Sequence, residues 1–171
     1  MFSVFYPDAY VEDVFSINYK DLYIKGYRGL IFDIDNTLVK HGGDSTSQVD
    51  GLFSWLHEIG FVTILLSNNS ERRIQRFNKN IQSEFVAAAE KPNPLAFLRA
   101  VEMTGCRKEE CVVVGDQMFT DIRGANRAGI KSVLVKYIGF YKKEWKGFHR
   151  NMERVLLWFY KRSRKSRQTF P

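Results

Sequence analysis

Short apolar runs alternate with amphipathic stretches along most of the chain. Residues 29–33 (GLIFD) are an apolar run closed by an acid, which predicts a buried strand. Val49, Leu52, Phe53, Leu56 and Ile59 recur at helical spacing and predict a helix over 47–59. Ser47 with Asp50 fits a capping box at its start, and Gly60 fits its stop. Residues 61–66 (FVTILL) predict the next strand. Ile74, Phe77 and Ile81 mark a helix that Ser70 is placed to cap. Residues 85–88 read as a short strand. A helix opening at Pro94 runs to about Met103 and stops at Gly105. Residues 111–114 (CVVV) predict a strand, 120–128 a helix closed by Gly129, and 131–135 a last strand.

Strand and helix in strict turn predict an α/β fold of three layers, a parallel sheet with helices on both faces. In such sheets ligands bind beyond the carboxyl ends of the strands. Polar groups gather there. Asp33 and Asp35 end the first apolar run, Ser67 the second and Asp116 the fourth, and Lys91 follows the third after a few residues.

These residue types suit phosphoryl transfer. Alternate side chains of an extended segment share a face, so Asp33 and Asp35 leave the strand side by side. One carboxylate can attack phosphorus and split a hard displacement into two easier ones. A second can protonate the leaving oxygen and then deprotonate the attacking water. Two carboxylates and a phosphate repel, which calls for a divalent cation. Mg²⁺ prefers oxygen ligands, and Asp116 in Gly115-Asp116-Gln117 offers another. The Ser67 hydroxyl and the Asn68 N–H are placed to hold phosphate oxygens, and Lys91 to neutralise the transferring group. Asp121 suits orienting Lys91 or a metal-bound water, and nearly as well a first-turn acid that complements its helix dipole. Asn69 reads as loop chemistry.

The four segments resemble the signature motifs of the haloacid dehalogenase-like (HAD) phosphohydrolases: D-x-D-x-T at residues 33–37, Ser67, Lys91, and G-D-x-x-x-x-D at residues 115–121. Phe32-Asp33-Ile34-Asp35-Asn36-Thr37-Leu38-Val39, Ser67-Asn68-Asn69, Lys91-Pro92 and Thr120-Asp121 are similar to the YqeG-like branch, HAD subfamily IIIA. The similarity runs from about Tyr6 to about Arg154. It implies Asp33 as nucleophile and metal ligand. Asp35 is implied as acid/base, binding metal through its backbone carbonyl, and Asp116 as a further ligand. Ser67, Asn68 and Lys91 would hold phosphate, with Thr37 and Asp121 in support. It also implies a Rossmann-like sheet of order 5-4-1-2-3. About 30 residues separate Asp35 from Ser67, enough for one helix and a strand. The expectation is no large cap domain and an open site, with Gly42 and Gly43 allowing a small flap.

The net charge of +7 is unevenly placed. Residues 142–171 hold ten Lys and Arg against two Glu, a net +8, which leaves the rest at −1. The expected organisation is one domain over residues 1–160 and a basic tail over 161–171. Trp145, Phe148, Met152, Val155, Leu156 and Phe159 follow helical spacing, with Arg150, Arg154 and Lys161 elsewhere on the helix. A helix packed on the body with a basic tail fits this pattern. So does an anchor on an anionic membrane surface, with Trp158 and Tyr160 at the interface. A nucleic-acid tail fits the charge equally. No apolar run approaches the roughly 18 residues of a membrane span, and no secretory leader is evident. Cys106 and Cys111 read as reduced, inert thiols, consistent with the cytoplasm.

The family's substrate suggests hydrolysis of phosphatidylglycerophosphate to phosphatidylglycerol, by an enzyme at the inner face of the membrane. The alternatives are a phosphatase of soluble sugar phosphates or nucleotides, and a ribosome- or RNA-associated factor.

Overall fold

In the computed structural model, which describes residues 3–139 and 147–163, six parallel strands form one sheet. They are β1 (Ala9–Val11), β2 (Gly29–Phe32), β3 (Val62–Leu66), β4 (Glu84–Val86), β5 (Cys111–Gly115) and β6 (Lys131–Val135), in the order β1-β6-β5-β2-β3-β4. The expected five-strand order is present, with β1 added at one edge. There Ala9 pairs with Val133, and Asp8 grips the start of β6 through the Ser132 N–H (2.9 Å) and Lys131 Nζ (3.0 Å).

The helices are α1 (Tyr19–Ile24), α2 (Ser47–Ile59), α3 (Glu71–Phe77), α4 (Pro94–Thr104), α5 (Arg123–Ala128) and α6 (Gly147–Arg162). Side-chain alternation along β2 feeds two cores. Leu30 and Phe32 point to one face with Leu22, Phe53 and Leu56; Ile31 points to the other with Phe97, Val101 and Ala125. Every residue of β2 is buried, as a central parallel strand covered on both faces requires. Between Asp35 and Ser67 the chain carries a loop, α2 and β3, with no large cap.

Several boundaries differ from the sequence reading, each for a local reason. The cap of α2 is Thr46, whose hydroxyl accepts the Val49 N–H at 3.3 Å. Asp50 is drawn instead to the Ser45 hydroxyl and to Asn80 Nδ2 (2.9 Å). Ser70 precedes α3 without a side-chain capping bond. The helix expected over 120–128 opens as a wider π-type turn, Met118–Ile122, before α5. Gly60, Gly105 and Gly129 do end their helices in the left-handed conformation.

The α6 helix packs through Leu156 and Tyr160 against Met118, Ile122 and Leu134, and the Glu153 carboxylate accepts the Met118 N–H at 3.0 Å. Leu156, one of the apolar positions at helical spacing, thus packs on the body, and Tyr160, which the membrane reading puts at the interface, is buried beside it. Met152, Val155 and Phe159 are exposed, as is Trp158. Trp145 and residues 164–171 of the basic tail lie outside the described residues, as do the side chains of Phe148 and Arg150.

Close packing of α4 on α5 depends on Gly124. A Cβ there would stand 2.1 Å from Phe97 Cε2. Alanine gains up to about 1 kcal/mol of helix propensity over glycine, but overpacking a core costs about 1–3 kcal/mol. Gly124→Ala is therefore expected to destabilise, read as a lower urea midpoint at unchanged m-value. Adding Phe97→Leu should recover part of the loss.

Candidate active site

Strand ends place the polar groups. Asp33 sits one residue beyond β2, and its N–H still bonds Val114 O (2.9 Å). Ser67 sits one residue beyond β3, held by Val86 O (3.1 Å). Asp116 follows β5 directly. The ladder thus fixes Asp33 and Ser67 on rigid backbone before any side-chain contact is counted.

The 34–39 turn then folds back over the strand end. The Leu38 N–H donates to Ile34 O (2.9 Å), and Asn36 takes the left-handed conformation (φ 69°) that asparagine tolerates better than most residues. This turn brings the Thr37 hydroxyl to 2.8 Å from Asp33 Oδ2 and 3.4 Å from Asp116 Oδ1.

Lys91 arrives on a strained loop. Ala88 and Glu90 both have positive φ (45° and 50°), which costs non-glycine residues on the order of 1–3 kcal/mol each. The loop is tied back by Ala88 N to Asn69 O (2.9 Å), Ala89 N to Ser67 O (3.0 Å) and Lys91 N to Asn68 Oδ1 (2.8 Å). Lys91 Nζ then donates to Asp33 Oδ1 (2.6 Å), Asp121 Oδ1 (2.7 Å) and Leu66 O (3.1 Å). Asp121 Oδ2 accepts the Gln117 N–H at 3.1 Å.

Asp33, Asp116 and Asp121 are all buried, and one carboxylate oxygen of each lies within 4.8 Å of the others. Lys91 pairs with two of these carboxylates, Asp33 and Asp121, at 2.6 and 2.7 Å. Burial pushes the Asp33 carboxyl up, and the charge of Asp121 adds to it. Together they outweigh Lys91 and the Thr37 hydroxyl and leave it at about 6. For Lys91, burial alone would lower the ammonium, but Asp121 and Asp33 outweigh it and hold it above the usual lysine range. Three carboxylate oxygens so close together are a hard, all-oxygen donor set of the kind that fits a divalent cation.

Asp35 faces another way. Its Oδ1 accepts the Gly42 N–H (2.9 Å) and Arg73 Nη2 (3.1 Å), its Oδ2 accepts Asn69 Nδ2 (2.6 Å), and His41 Nδ1 stands 3.4 Å from Oδ2. Burial would raise this carboxyl, but the Gly42 N–H, Asn69, Arg73 and His41 together hold it below the usual carboxylate range. Asn69 Nδ2 also bonds Ser67 Oγ (2.9 Å), linking the first two motifs.

All the predicted residues thus lie at the carboxyl edge of the sheet. Asp33, Thr37, Lys91, Asp116 and Asp121 share one cluster. Ser67 and the Asp35 side chain lie beside it through Asn69, and Asn68 turns its side chain to the Lys91 backbone. Asn69 and Arg73 were missed by sequence reasoning. Asn69 had looked like loop chemistry, and Arg73 sits in a run of charged helix residues with no local signal.

A profile of the HAD-hydrolase-like family matches residues 88–156. Probable phosphatase YqeG of Bacillus subtilis is 37% identical over 156 residues, covering 90% of this chain and 90% of that protein. Two solved structures share the fold. The 4-nitrophenylphosphatase of Thermotoga maritima has a TM-score of 0.58 at 15% identity, covering 77% of this chain and 91% of that one. The cobalt-bound deoxy-D-mannose-octulosonate 8-phosphate phosphatase of Haemophilus influenzae has a TM-score of 0.50 at 17% identity, covering 79% and 90%.

The raised Asp33 carboxyl gives a stability prediction. A folded-state value near 6 against an ordinary 3.8 means that the folded protein holds this proton more tightly than the unfolded chain. The ionised form therefore costs stability, fully above pH 6, and the cost fades as pH falls towards 4. In chelator, the stability of the wild type relative to Asp33→Asn should therefore fall as pH rises from about 4 through 6. Added divalent cation should raise the wild-type Tm and lessen that fall.

Proposed function

We propose that this chain, a HAD-type phosphatase that belongs to the YqeG family, attacks phosphate monoesters with Asp33 and takes phosphatidylglycerophosphate as its substrate. The observation that carries the first part is the setting of Asp33. It is fixed at the end of the central strand, between Lys91 and Thr37, with Asp116 and Asp121 in the same buried cluster.

In this reading an Asp33 carboxylate oxygen bonds to phosphorus as the ester oxygen leaves. Asp35, ionised at rest, takes the proton of a phosphate monoester monoanion and passes it to the leaving oxygen. Asp35 then takes a proton from water as that water attacks phosphorus, which releases inorganic phosphate and restores Asp33. Lys91 offsets charge on the phosphoryl oxygens, and Asp121 keeps its ammonium aimed at Asp33. Ser67 and the Asn68 N–H bind the remaining phosphate oxygens. Asp33, Asp116 and the Asp35 backbone carbonyl would hold a divalent cation, Mg²⁺ in this reading, which would supply positive charge against the phosphate oxygens. The cobalt-bound Haemophilus phosphatase of the same fold is in keeping with divalent chemistry.

The lipid part rests on α6. Met152, Val155, Trp158 and Phe159 are each 42–54% exposed, and Arg162 stacks over the Trp158 ring at 3.6 Å. An exposed apolar and aromatic face within a segment of net +8 suits an anionic interface. No helix among the described residues is long and apolar enough to cross a membrane, so this contact is peripheral in the reading. The tail over 161–171 would add its charge to the same contact.

Turnover should vanish in Asp33→Asn, and Lys91→Ala should lower kcat by about 10²–10³. Phosphate release with Mg²⁺ should be at least about tenfold more efficient, by kcat/KM, on phosphatidylglycerophosphate in anionic vesicles than on glycerol 3-phosphate. Substantial activity in Asp33→Asn refutes the nucleophile. Equal or better use of soluble sugar phosphates or nucleotides refutes the lipid substrate. RNA binding lost with residues 161–171, alongside intact vesicle activity, assigns the tail to RNA.

A further inference from the structure

The segment over residues 41–44 lies against the site and is held from α3 by two arginines. Arg76 Nη2 donates to Gly42 O (2.8 Å), and Arg76 Nε pairs with Asp44 Oδ1 (2.6 Å). One turn earlier, Arg73 Nη2 donates both to Gly43 O (2.7 Å) and to Asp35 Oδ1 (3.1 Å). The Gly42 N–H closes the loop by donating to that same Asp35 oxygen (2.9 Å).

The two arginines differ in setting. The Arg76 side chain is 57% exposed, whereas that of Arg73 is 13% exposed. Arg73 Nε and Nη1 are fully buried and have no hydrogen-bond partner among the described residues. A buried guanidinium with two nitrogens unmet is a poor device for stability, since an apolar side chain would avoid the desolvation. Its Nη2, by contrast, meets two acceptors from different parts of the site.

We propose that Arg73 is a positioning residue whose Nη2 clips the Asp35 carboxylate to the 41–44 segment, so that the acid/base side chain and the loop beside it move as one unit. This rests on the assignment of Asp35 as acid/base. Arg76 grips the same loop without touching Asp35, which makes it the matched control. Because a single nitrogen serves both acceptors, a lysine ammonium, with three donors on one atom, can do the same work.

Two measurements on the full chain test the clip. The first is amide hydrogen exchange over residues 41–44, which should quicken in Arg73→Ala and in Arg76→Ala. The second is kcat/KM on an alkyl ester, glycerol 3-phosphate, and on an aryl ester, 4-nitrophenyl phosphate, whose leaving group needs little protonation. Arg73→Ala should lose about 10²-fold on the alkyl ester and less than about tenfold on the aryl ester. Arg76→Ala should affect both esters alike, and Arg73→Lys should recover most of the selective loss. Equal losses on the two esters in Arg73→Ala, or exchange over 41–44 unchanged by it, overturn the proposal. Turnover retained in Asp33→Asn would instead count against the phosphatase mechanism, and the exchange comparison would still decide the clip.

Discussion

One buried ammonium among three buried carboxylates sets the terms for this molecule. Lys91 contacts Asp33 and Asp121 at hydrogen-bond distance, and Asp116 completes the acidic cluster. Such an arrangement is a poor source of stability, because desolvating the charges offsets much of their attraction. It persists because the rest of the fold holds it. The central strand delivers Asp33, a loop with positive φ at Ala88 and Glu90 delivers Lys91, and the Gly115 backbone leaves room for Asp121. A Cβ at Gly115 would lie 2.5 Å from the Asp121 side chain. Rigidity elsewhere is thus a condition of holding these buried charges so close together.

The sheet supplies that rigidity economically. Its central strands are buried on both faces, so a shift of β2 would disturb both cores at once. The backbone bonds from Asp33 to Val114 and from Ser67 to Val86 extend the ladders one residue into the site. The first functional atoms therefore inherit the precision of the core.

Sequence reasoning found what depends on local order. Asp33, Ser67, Lys91 and Asp116 each close or follow an apolar run, and a parallel sheet gathers such ends on one edge. The strands from β2 to β6 were legible as apolar runs, and their order came from the family resemblance. The strand β1 was not, because its place is fixed only on folding, by pairing with β6 and by the grip of Asp8 on the start of that strand. Which apolar side chains of α6 pack was not legible, because both its faces carry large ones, and only contact with Met118 and Leu134 separates Leu156 and Tyr160 from Phe159. Asn69 and Arg73 escaped because their partner, Asp35, is more than 30 residues away and meets them only after folding. The Thr46 cap shows the same effect over a shorter distance, since Asn80 and Ser45 compete for Asp50.

The central claim is that Asp33 carries the phosphoryl group during turnover. Rapid acid quench of enzyme mixed with excess substrate, followed by borohydride trapping and peptide mass spectrometry, reads this directly. The account predicts a transient acyl phosphate on the peptide containing Asp33, formed before steady-state phosphate release. Modification at any other residue, or phosphate released with Asp33 unmodified throughout, would contradict it.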